Sequence, residues 1–534
     1  VNSSSSTFGI EPWGKIDRRM ALRMNSPKLW SPEERNLYFV ESEIKESGLA
    51  VERNKTRFGI RQVVFDPDKG LLLNGKHVKV MGAAAHQDNG SVGVAVPAEI
   101  MRYRIQTMKK FGFNGYRSAH NAAAPALLDI CDEEGMLVMN EQRIPESSPR
   151  YLEEMREIIR SSRNHPSVFI YNLANTVTPV ADTDFSFIEG SISTLMQEIA
   201  RLDPQKRAAT MNANLSKPHD GDEKSVSRKE YLRPAGRVLD VVNYYGGDKH
   251  AYEGKPIIKV ETGAGRFTRG VYETNKEKLW VSSIPDWKTH ERIKRFMATD
   301  ELSGEFIWTA FDYRGEPTPY RFFPGVSSQC GLLDLCGFPK DLAYFYKAVQ
   351  TREPVLHLFP HWNWKGREGE TVKVFVYSNL DEVELFQNEK SLGKRKVLPF
   401  ENQSWEVKYK PGALISKGYR NGKLVLTDKV VTAGEPYSVR VSGYKNYLKA
   451  DGEDALTLKF EILDKEGVVC PHADNIINIA IKGNGHLLGV DNGSPTNLNP
   501  TKLPKVRAFS GLCSAVVQSN EEAGRIVITA TSDG

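Results

Sequence analysis

The stretch FNGYRSAHNAAAPALLDICDEEGMLVMNE, residues 113–141, decides the fold of this chain. It opens with FNGYRSAH, a short run that reads as a strand ending in polar residues, and continues into PALLDICDEEG, which has helical spacing and is closed by Gly135. A second apolar run, MLVMNE, follows directly. A strand, a helix and a further strand in this order predict a βαβ unit whose two strands lie parallel in one sheet.

The same alternation continues on both sides of this unit. The helix-patterned segment MRYRIQTMKKFG precedes it, and the helix-patterned SPRYLEEMREIIRSSRNHP with the strand VFIYNLAN follows it. Such units over residues 79–350 predict a (β/α)8 barrel, the TIM-barrel fold, in both length and pattern. A doubly wound sheet is the alternative, but it usually carries a Gly-rich phosphate turn after an early strand, and this sequence shows none.

Strand-like alternation with period two flanks the predicted barrel. Residues 1–78 carry it in LYFVESEIK and TRFGIRQVVFD, which predicts part of a β-sandwich. After the barrel it returns in TVKVFVYSN, SWEVKYKPG and KLVLTDKVV, and a break at AGEP, residues 433–436, separates a last strand-rich unit. We therefore predict two further β-sandwich modules, at residues 351–434 and 435–534.

Composition excludes several classes of function. The 534 residues carry a net charge of +5 with basic and acidic residues interspersed, which favours a solvated surface over a nucleic-acid interface. No apolar run approaches the roughly 18 residues that a membrane span needs. The five cysteines are odd in number and lack CxxC spacing, so neither a disulfide framework nor a zinc site is expected. The chain begins with Val1, so the lack of a leader says little about export.

Polar residues close the predicted barrel strands, and barrel enzymes place their chemistry at those strand ends. The strand ends are His86-Gln87-Asp88, Arg117 to Asn121, Asn175-Thr176, Asn243-Tyr244-Tyr245, Glu261 and Trp308. Each alone is more often a capping or loop residue. Together they predict a pocket rich in hydrogen-bonding groups, with one carboxylate and one large aromatic side chain, which suits a polyol such as a sugar.

These motifs resemble those of glycoside hydrolase family 2, and in particular of its multidomain bacterial β-galactosidases. The resemblance rests on GAAAHQDNGSVGVAVP, residues 113–141, RNHPSVFIYNLAN, KPIIKVE and GEFIWTAFDYRGEPTPY, and it covers nearly the whole chain. It implies an immunoglobulin-like fold for the sandwich at 1–78 and an immunoglobulin- or invasin-like fold for the module at 435–534. It also implies a carbohydrate ligand, a β-galactoside oligosaccharide, with no nucleic-acid or membrane partner. A periplasmic or secreted location and a homo-oligomeric assembly are compatible with it.

The resemblance also implies a retaining mechanism with two carboxyl groups, a nucleophile and a general acid/base. Glu261 falls at the position of the nucleophile, and Asn175 at that of the residue that holds the sugar 2-hydroxyl. Trp308 matches the aromatic platform, and either Tyr244 or Tyr245 is expected to donate a hydrogen bond to Glu261. The remaining positions that match the pocket floor are His86, Asp88, Arg117, His120 and Asn121.

Thr176 departs from the family pattern, because the acid/base position that follows Asn175 is a glutamate in the family. A threonine hydroxyl neither protonates a leaving oxygen nor activates water near neutral pH. Three interpretations follow: a nearby carboxylate (Asp182, Asp184 or Glu141) replaces it, the chain binds sugar without cleaving it, or the residue was introduced to trap a substrate. The β-glucuronidases' Asn-Lys signature is absent between Trp308 and Lys340, which favours a neutral sugar. Galactose is expected first because the C-terminal modules resemble those of the family's β-galactosidases. No metal or other cofactor is expected.

Overall fold

The computed structural model describes residues 2–175, 186–212, 236–244, 254–263 and 265–532. Its central element is a sheet of eight parallel strands in the order β10-β9-β8-β7-β6-β13-β12-β11. The strands are β6 (Val80–Ala85), β7 (Gly115–Ser118), β8 (Leu137–Glu141), β9 (Val168–Asn172), β10 (Ala209–Thr210), β11 (Val242–Asn243), β12 (Ile257–Gly263) and β13 (Leu302–Trp308). This arrangement confirms the predicted barrel.

The two ends of the eight-stranded sheet meet and nearly close the barrel. The backbone N–H of Val241, just before β11, donates to the carbonyl of Ala209 in β10 at 3.2 Å. Apolar side chains fill the interior of the barrel, among them Val80, Met139 and Phe306. Because helices cover the outer face as well, these strands are apolar along most of their length and carry their polar residues at the ends.

Helices pack around the outside of the barrel. They are α1 (Ala98–Lys110), α2 (Pro125–Glu134), α3 (Pro149–Ser162), α4 (Ser186–Leu202), α5 (Trp287–Met297) and α6 (Asp341–Gln350). Pro125 begins α2, where its missing N–H costs nothing. Gly135 ends the same helix with a φ of 72°, a left-handed conformation that glycine adopts without steric penalty. The first three helices match the segments predicted from their apolar spacing.

The strands that precede the barrel form two small antiparallel sheets. They are β1 (Tyr38–Glu46), β2 (Leu49–Phe58), β3 (Val63–Asp66), β4 (Gly70–Leu73) and β5 (Lys76–Val78). β1 and β2 make a hairpin that is exposed along most of its length. In contrast, Leu71 and Leu73 of β4 are buried with Val80 and Phe306, so the second sheet packs onto the end of the barrel.

Two β-sandwiches follow the barrel. The strands of the first are β14 (Leu356–Phe359), β15 (Thr371–Ser378), β16 (Glu382–Gln387), β17 (Lys390–Lys396), β18 (Gln403–Lys408), β19 (Ala413–Arg420) and β20 (Lys423–Val431). Those of the second, here called the last sandwich, are β21 (Ser438–Gly443), β22 (Ala455–Leu463), β23 (Ile476–Gly483), β24 (Gly485–Asp491), β25 (Lys505–Arg507), β26 (Leu512–Ser519) and β27 (Ile526–Ser532). In each, side chains from two sheets share one apolar core.

All five cysteines are buried and carry free thiols: Cys131, Cys330, Cys336, Cys470 and Cys513. Burial raises the pKa of Cys131 well above its ordinary value, and it raises the pKa of Cys513 to about 12. They therefore pack as small apolar side chains. Among the helices that the described residues form, none combines the length and the apolar character needed to cross a lipid bilayer.

Candidate active site

A buried guanidinium organises the polar cluster at the carboxyl ends of the barrel strands. Arg117 lies near the end of β7, and its side chain is fully buried. Its Nη1 donates to Glu261 Oε2 at 2.6 Å, its Nε to Glu141 Oε2 at 2.7 Å, and its Nη2 to Asn175 Oδ1 at 2.9 Å. Although burial lowers the pKa of Arg117, the carboxylates of Glu141 and Glu261 raise it above its ordinary value. The cluster therefore holds a permanent positive charge between two carboxylates.

Glu261 lies in β12, two residues before the end of the strand. Its side chain is 14% exposed, in contrast to Arg117, so part of it faces outward from the cluster. Besides Arg117, Asn212 donates from Nδ2 to the same oxygen, Oε2, at 3.2 Å. Two donors on one oxygen fix the orientation of the carboxylate.

Asparagine side chains link the strand ends around Glu261. Asn175, after β9, accepts hydrogen bonds at Oδ1 from Arg117 and from Asn212, the latter at 3.1 Å. Asn243 at the end of β11 donates to Asn212 Oδ1 at 3.1 Å, and its own Oδ1 accepts from the N–H of Val260 at 3.1 Å. The chain of amides connects four strand ends and defines the position of each polar group.

Glu141 is a buried structural partner of Arg117. Its Oε1 lies 2.8 Å from His120 Nδ1, and its Oε2 accepts from Arg117 and from Asn172 Nδ2 at 2.6 Å. Burial raises the pKa of Glu141, but Arg117 and His120 outweigh this effect and lower it below the ordinary value. A carboxylate with both oxygens engaged and a lowered pKa is a poor proton donor, so the geometry argues against Glu141 as a replacement acid/base.

Aromatic rings form one side of the cluster. Trp308, the last residue of β13, stacks on His120 with ring centroids 4.7 Å apart and an interplanar angle of 6°. Its Nε1 donates to the hydroxyl of Tyr313 at 3.1 Å, and Tyr313 in turn donates to Glu316 at 2.6 Å. His86 lies against Tyr313 with centroids 4.4 Å apart. Burial lowers the pKa of His86 to about 4, so this imidazole is neutral at pH 7.

The other predicted site residues differ in their placement. Asp88 is half-buried, and its Oδ2 accepts from the N–H of Arg314 at 3.3 Å. Asn121 is exposed, and its Nδ2 donates to the carbonyl of Ala122, so the structure leaves it at the surface. Tyr244 is half-buried and packs against the apolar core between barrel and helices. The remaining predicted positions, Thr176, Tyr245, Asp182 and Asp184, lie outside the described residues.

Two residues of the cluster, Asn212 and Tyr313, were not predicted from the sequence. Asn212 follows a strand of only two residues, too short to give a pattern, although an asparagine after a strand was the signal that identified Asn175. Tyr313 lies five residues beyond Trp308, on a loop whose path decides the contact between them. Neither contact could be predicted from the spacing of neighbouring residues in the sequence.

One group within the described ranges has the composition of a metal site. It consists of Asp129, Asp132 and His165, whose ligand atoms lie within 4.8 Å of one another. Arg57 pairs with Asp129 and lies 3.9 Å from Asp132, so a guanidinium already supplies the positive charge there. Asp129 and Asp132 belong to α2, and His165 lies in the loop between α3 and β9.

Comparison with known proteins places the chain in a family. The sequence profile of the TIM-barrel domain of glycosyl hydrolases family 2 matches residues 66–144 and 143–333. Profiles described as glycosyl hydrolases family 2 and as its C-terminal domain 5 match residues 3–61 and 439–534, and one for a domain of unknown function matches residues 369–426.

Individual relatives agree with these matches. A β-galactosidase of Bacteroides ovatus is 34% identical over the whole chain, which covers 69% of that relative. A putative β-glucuronidase of Formosa agariphila is 31% identical over 91% of the chain, which spans half of that relative. The crystal structure of a β-glycosidase from Bacteroides vulgatus superimposes on 95% of the chain with a TM-score of 0.82 and 29% identity, and the match covers 70% of it. The chain is a member of glycoside hydrolase family 2.

Proposed function

We propose that this chain carries the sugar-binding and catalytic centre of a retaining exo-acting β-glycosidase that acts on terminal β-galactosides, with Glu261 as nucleophile. The observation that supports this most is the Glu261 carboxylate itself. It lies near the carboxyl end of a barrel strand, is oriented by Arg117 and Asn212, and keeps 14% of its side chain exposed beside otherwise buried polar groups. The exposed part leaves the carboxylate accessible to a ligand.

The roles of the neighbouring groups follow from the chemistry of a double displacement. Glu261 attacks the anomeric carbon, so a bond forms from its oxygen to C1 while the bond from C1 to the leaving oxygen breaks. The leaving oxygen departs as an anion or takes a proton from the solvent. Water then attacks C1, loses a proton to the solvent and releases Glu261 as a carboxylate. Asn175 holds the sugar 2-hydroxyl, and Trp308 stacks on the apolar face of the ring. Arg117 orients the Glu261 carboxylate through a hydrogen bond to Oε2.

Galactose is proposed as the sugar for two reasons. The Asn-Lys pair with which β-glucuronidases of the family bind a carboxylate is absent between Trp308 and Lys340. In addition, one relative with 34% identity is named a β-galactosidase. Since other relatives are named β-glucuronidases, the test compares the reaction of the protein with a nitrophenyl β-galactoside and with the corresponding β-glucuronide.

The experiment monitors the first displacement directly. A nitrophenolate anion leaves without protonation, so the galactoside should release one equivalent of nitrophenolate in a burst and leave a galactosyl adduct on the intact protein. Glu261→Gln should abolish both. Glu305→Gln is the matched control, because Glu305 is a fully buried carboxylate on the neighbouring strand that binds Lys259 and Arg292 instead. An adduct that survives Glu261→Gln, or none with either glycoside, would contradict the proposal.

A sugar-binding protein without turnover is the second candidate, and the threonine at position 176 favours it. This protein would bind the galactoside without cleaving even an activated leaving group. Azide separates the two cases: it should restore turnover and yield a β-galactosyl azide if Glu261 forms the intermediate and only the acid/base is missing. Binding without burst, adduct or azide product would establish the second candidate.

A further inference from the structure

A loop of the last sandwich is inserted between two loops of the barrel. The segment begins at Asp491, the last residue of β24, and ends at residue 497; it is here called the 491–497 loop. The carbonyl of Pro495 accepts from the N–H of Val326 at 2.9 Å, and the carbonyl of Asn492 accepts from Arg269 Nη2 at 2.9 Å. Both donors belong to the barrel region, so this loop is fixed to it at several points.

Asp491 makes the charged contact of this loop. Its side chain is fully buried, and its Oδ2 accepts from Arg314 Nη2 at 2.5 Å. Its Oδ1 accepts from the backbone N–H groups of Asn492 and Gly493 at 2.6 and 3.0 Å and from Asn497 Nδ2 at 3.2 Å. Oδ1 therefore accepts the hydrogen bonds within the 491–497 loop, while Oδ2 binds Arg314 of the barrel region.

The barrel provides close-fitting space for this carboxylate. A Cβ built on Gly90 would lie 2.7 Å from Asp491 Oδ2 and 3.1 Å from its Cβ, so only glycine permits the contact. Gly90 lies two residues after Asp88, in the loop that follows the first barrel strand. Asp491 thus contacts both Arg314 and the loop that carries Asp88.

Arg314 connects Asp491 to the proposed sugar site. Its backbone N–H donates to Asp88 Oδ2, while its guanidinium binds Asp491. The preceding residue, Tyr313, contacts Trp308 and His86. Asp88 Oδ1 is buried and has no hydrogen-bond partner among the described residues, an arrangement that is costly unless a ligand or water donates to it.

We propose that Asp491, supplied by the last sandwich, is a positioning residue of the sugar pocket: it fixes Arg314 and the Asp88 loop, and so presents Asp88 to a sugar hydroxyl. The inference rests on the proposed function, in which Asp88 binds sugar, and it makes the last sandwich a part of the binding site. Asp491 acts through Arg314 and Gly90 and does not itself contact the reacting atoms.

The test compares Asp491→Asn with wild type in the burst reaction with a nitrophenyl β-galactoside. Asparagine keeps an oxygen for the loop but removes the charge that binds Arg314. We expect the half-saturating galactoside concentration to rise about tenfold, as the loss of one charge-assisted hydrogen bond predicts, with the burst amplitude unchanged. Arg314→Gln should act similarly, and the double variant should add little to either change.

Asp464→Asn is the matched control. Asp464 is a buried carboxylate of the same sandwich that accepts only backbone N–H groups of its own surroundings, including those of Val468 and Gly434. It should lower the unfolding temperature without changing half-saturation. Equal half-saturation in Asp491→Asn and wild type, or equal shifts in the Asp491 and Asp464 variants, would overturn the inference.

Hydrogen exchange separates failure of the inference from failure of the proposed function. If wild type neither reacts with nor binds a galactoside, the proposed function fails. The inference is then decided by amide exchange, since Asp491→Asn should speed exchange in peptides that contain residues 86–93 and 313–316, and Asp464→Asn should not. Unchanged exchange in these peptides would refute the positioning role.

Discussion

Arg117 and Glu261 form an ion pair of 2.6 Å in which the guanidinium is fully buried and the carboxylate is 14% exposed. The same guanidinium binds the fully buried Glu141 at 2.7 Å. One cation therefore pairs with two carboxylates in different surroundings: Glu141 is fully buried, and Glu261 keeps part of its side chain exposed. Of the two acids that Arg117 binds, Glu261 is therefore the one that a ligand can reach.

Replacement of Arg117 by lysine should separate the effect of its positive charge from the effect of its hydrogen-bond geometry. Lysine keeps the charge but cannot reach Glu141, Glu261 and Asn175 together with one ammonium group. We expect the rate of galactosyl adduct formation to fall by about 10²-fold, because Glu261 loses its fixed orientation. Arg207→Lys is the control, since Arg207 forms a buried pair with Asp203 at 2.7 Å away from Glu261. It should reduce stability in urea and leave the adduct rate unchanged; equal rate losses in both variants would contradict the prediction.

Introduction of a carboxyl group at position 176 should restore acid catalysis. Thr176→Glu is expected to increase hydrolysis of oligosaccharide galactosides by on the order of 10²–10⁴-fold, the usual contribution of a general acid/base. Nitrophenyl galactosides should gain less in the first displacement, since their leaving group needs no proton. Thr176→Gln supplies similar volume without the acid and should show no gain. A gain with glutamine would point to an effect of shape.

Removal of the Trp308 ring should weaken sugar binding. Trp308→Ala takes away a stacking surface and the support of His120, and we expect galactoside affinity to fall about tenfold or more. Tyr313→Phe should have a smaller effect in the same direction, because it removes only the hydroxyl that fixes the indole. Trp364→Ala, in the first sandwich, is the control. Titration by calorimetry measures all three, and equal losses in the Trp308 and Trp364 variants would contradict the assignment.

Stability should decline in mild acid because of buried histidines. Burial lowers the pKa of His86 and His290 to about 4 and that of His361 to about 3, from 6.5 in the unfolded chain. Between pH 6.5 and 4 the unfolded chain therefore binds protons that the native protein does not, so the free energy of unfolding falls as the pH falls. Each such histidine contributes about 1.4 kcal/mol per pH unit inside that window.

His290→Phe tests this contribution. The ring of His290 packs on Phe345 at 4.2 Å, and phenylalanine keeps that contact without a titrating group. Urea unfolding at several pH values should show a shallower loss of stability between pH 6.5 and 4 than in wild type. The exposed His77, replaced in the same way, serves as control. An unchanged slope in the His290 variant would refute the assignment.

Periodicity made the barrel predictable from sequence. Residues 113–141 alternate strand and helix so regularly that β7, α2 and β8 fall inside the predicted segments, because burial on both faces forces parallel strands to be apolar. The strand ends also identified Arg117, Asn175, Glu261 and Trp308, which the fold brings together because the carboxyl ends of barrel strands meet at one face.

Contacts between distant loops were not predictable. The short β10 gave no signal for Asn212, and Asn121 shares a polar strand end with His120 but remains exposed. Arg314 and Asp491 are 177 residues apart, and their contact depends on how the last sandwich packs against the barrel. Local patterns carry no information on such packing, which is decided by the complementarity of whole surfaces.

The buried cysteines offer a way to observe local opening of the native protein. A thiol reagent can modify Cys131 only when the barrel helices separate, and Cys513 only when the last sandwich opens. The rate at which each cysteine is modified at a fixed reagent concentration, followed by intact mass, would therefore show which of the two regions opens more often. Bound galactoside should slow modification in both regions if they open together, and in the barrel alone if they open independently.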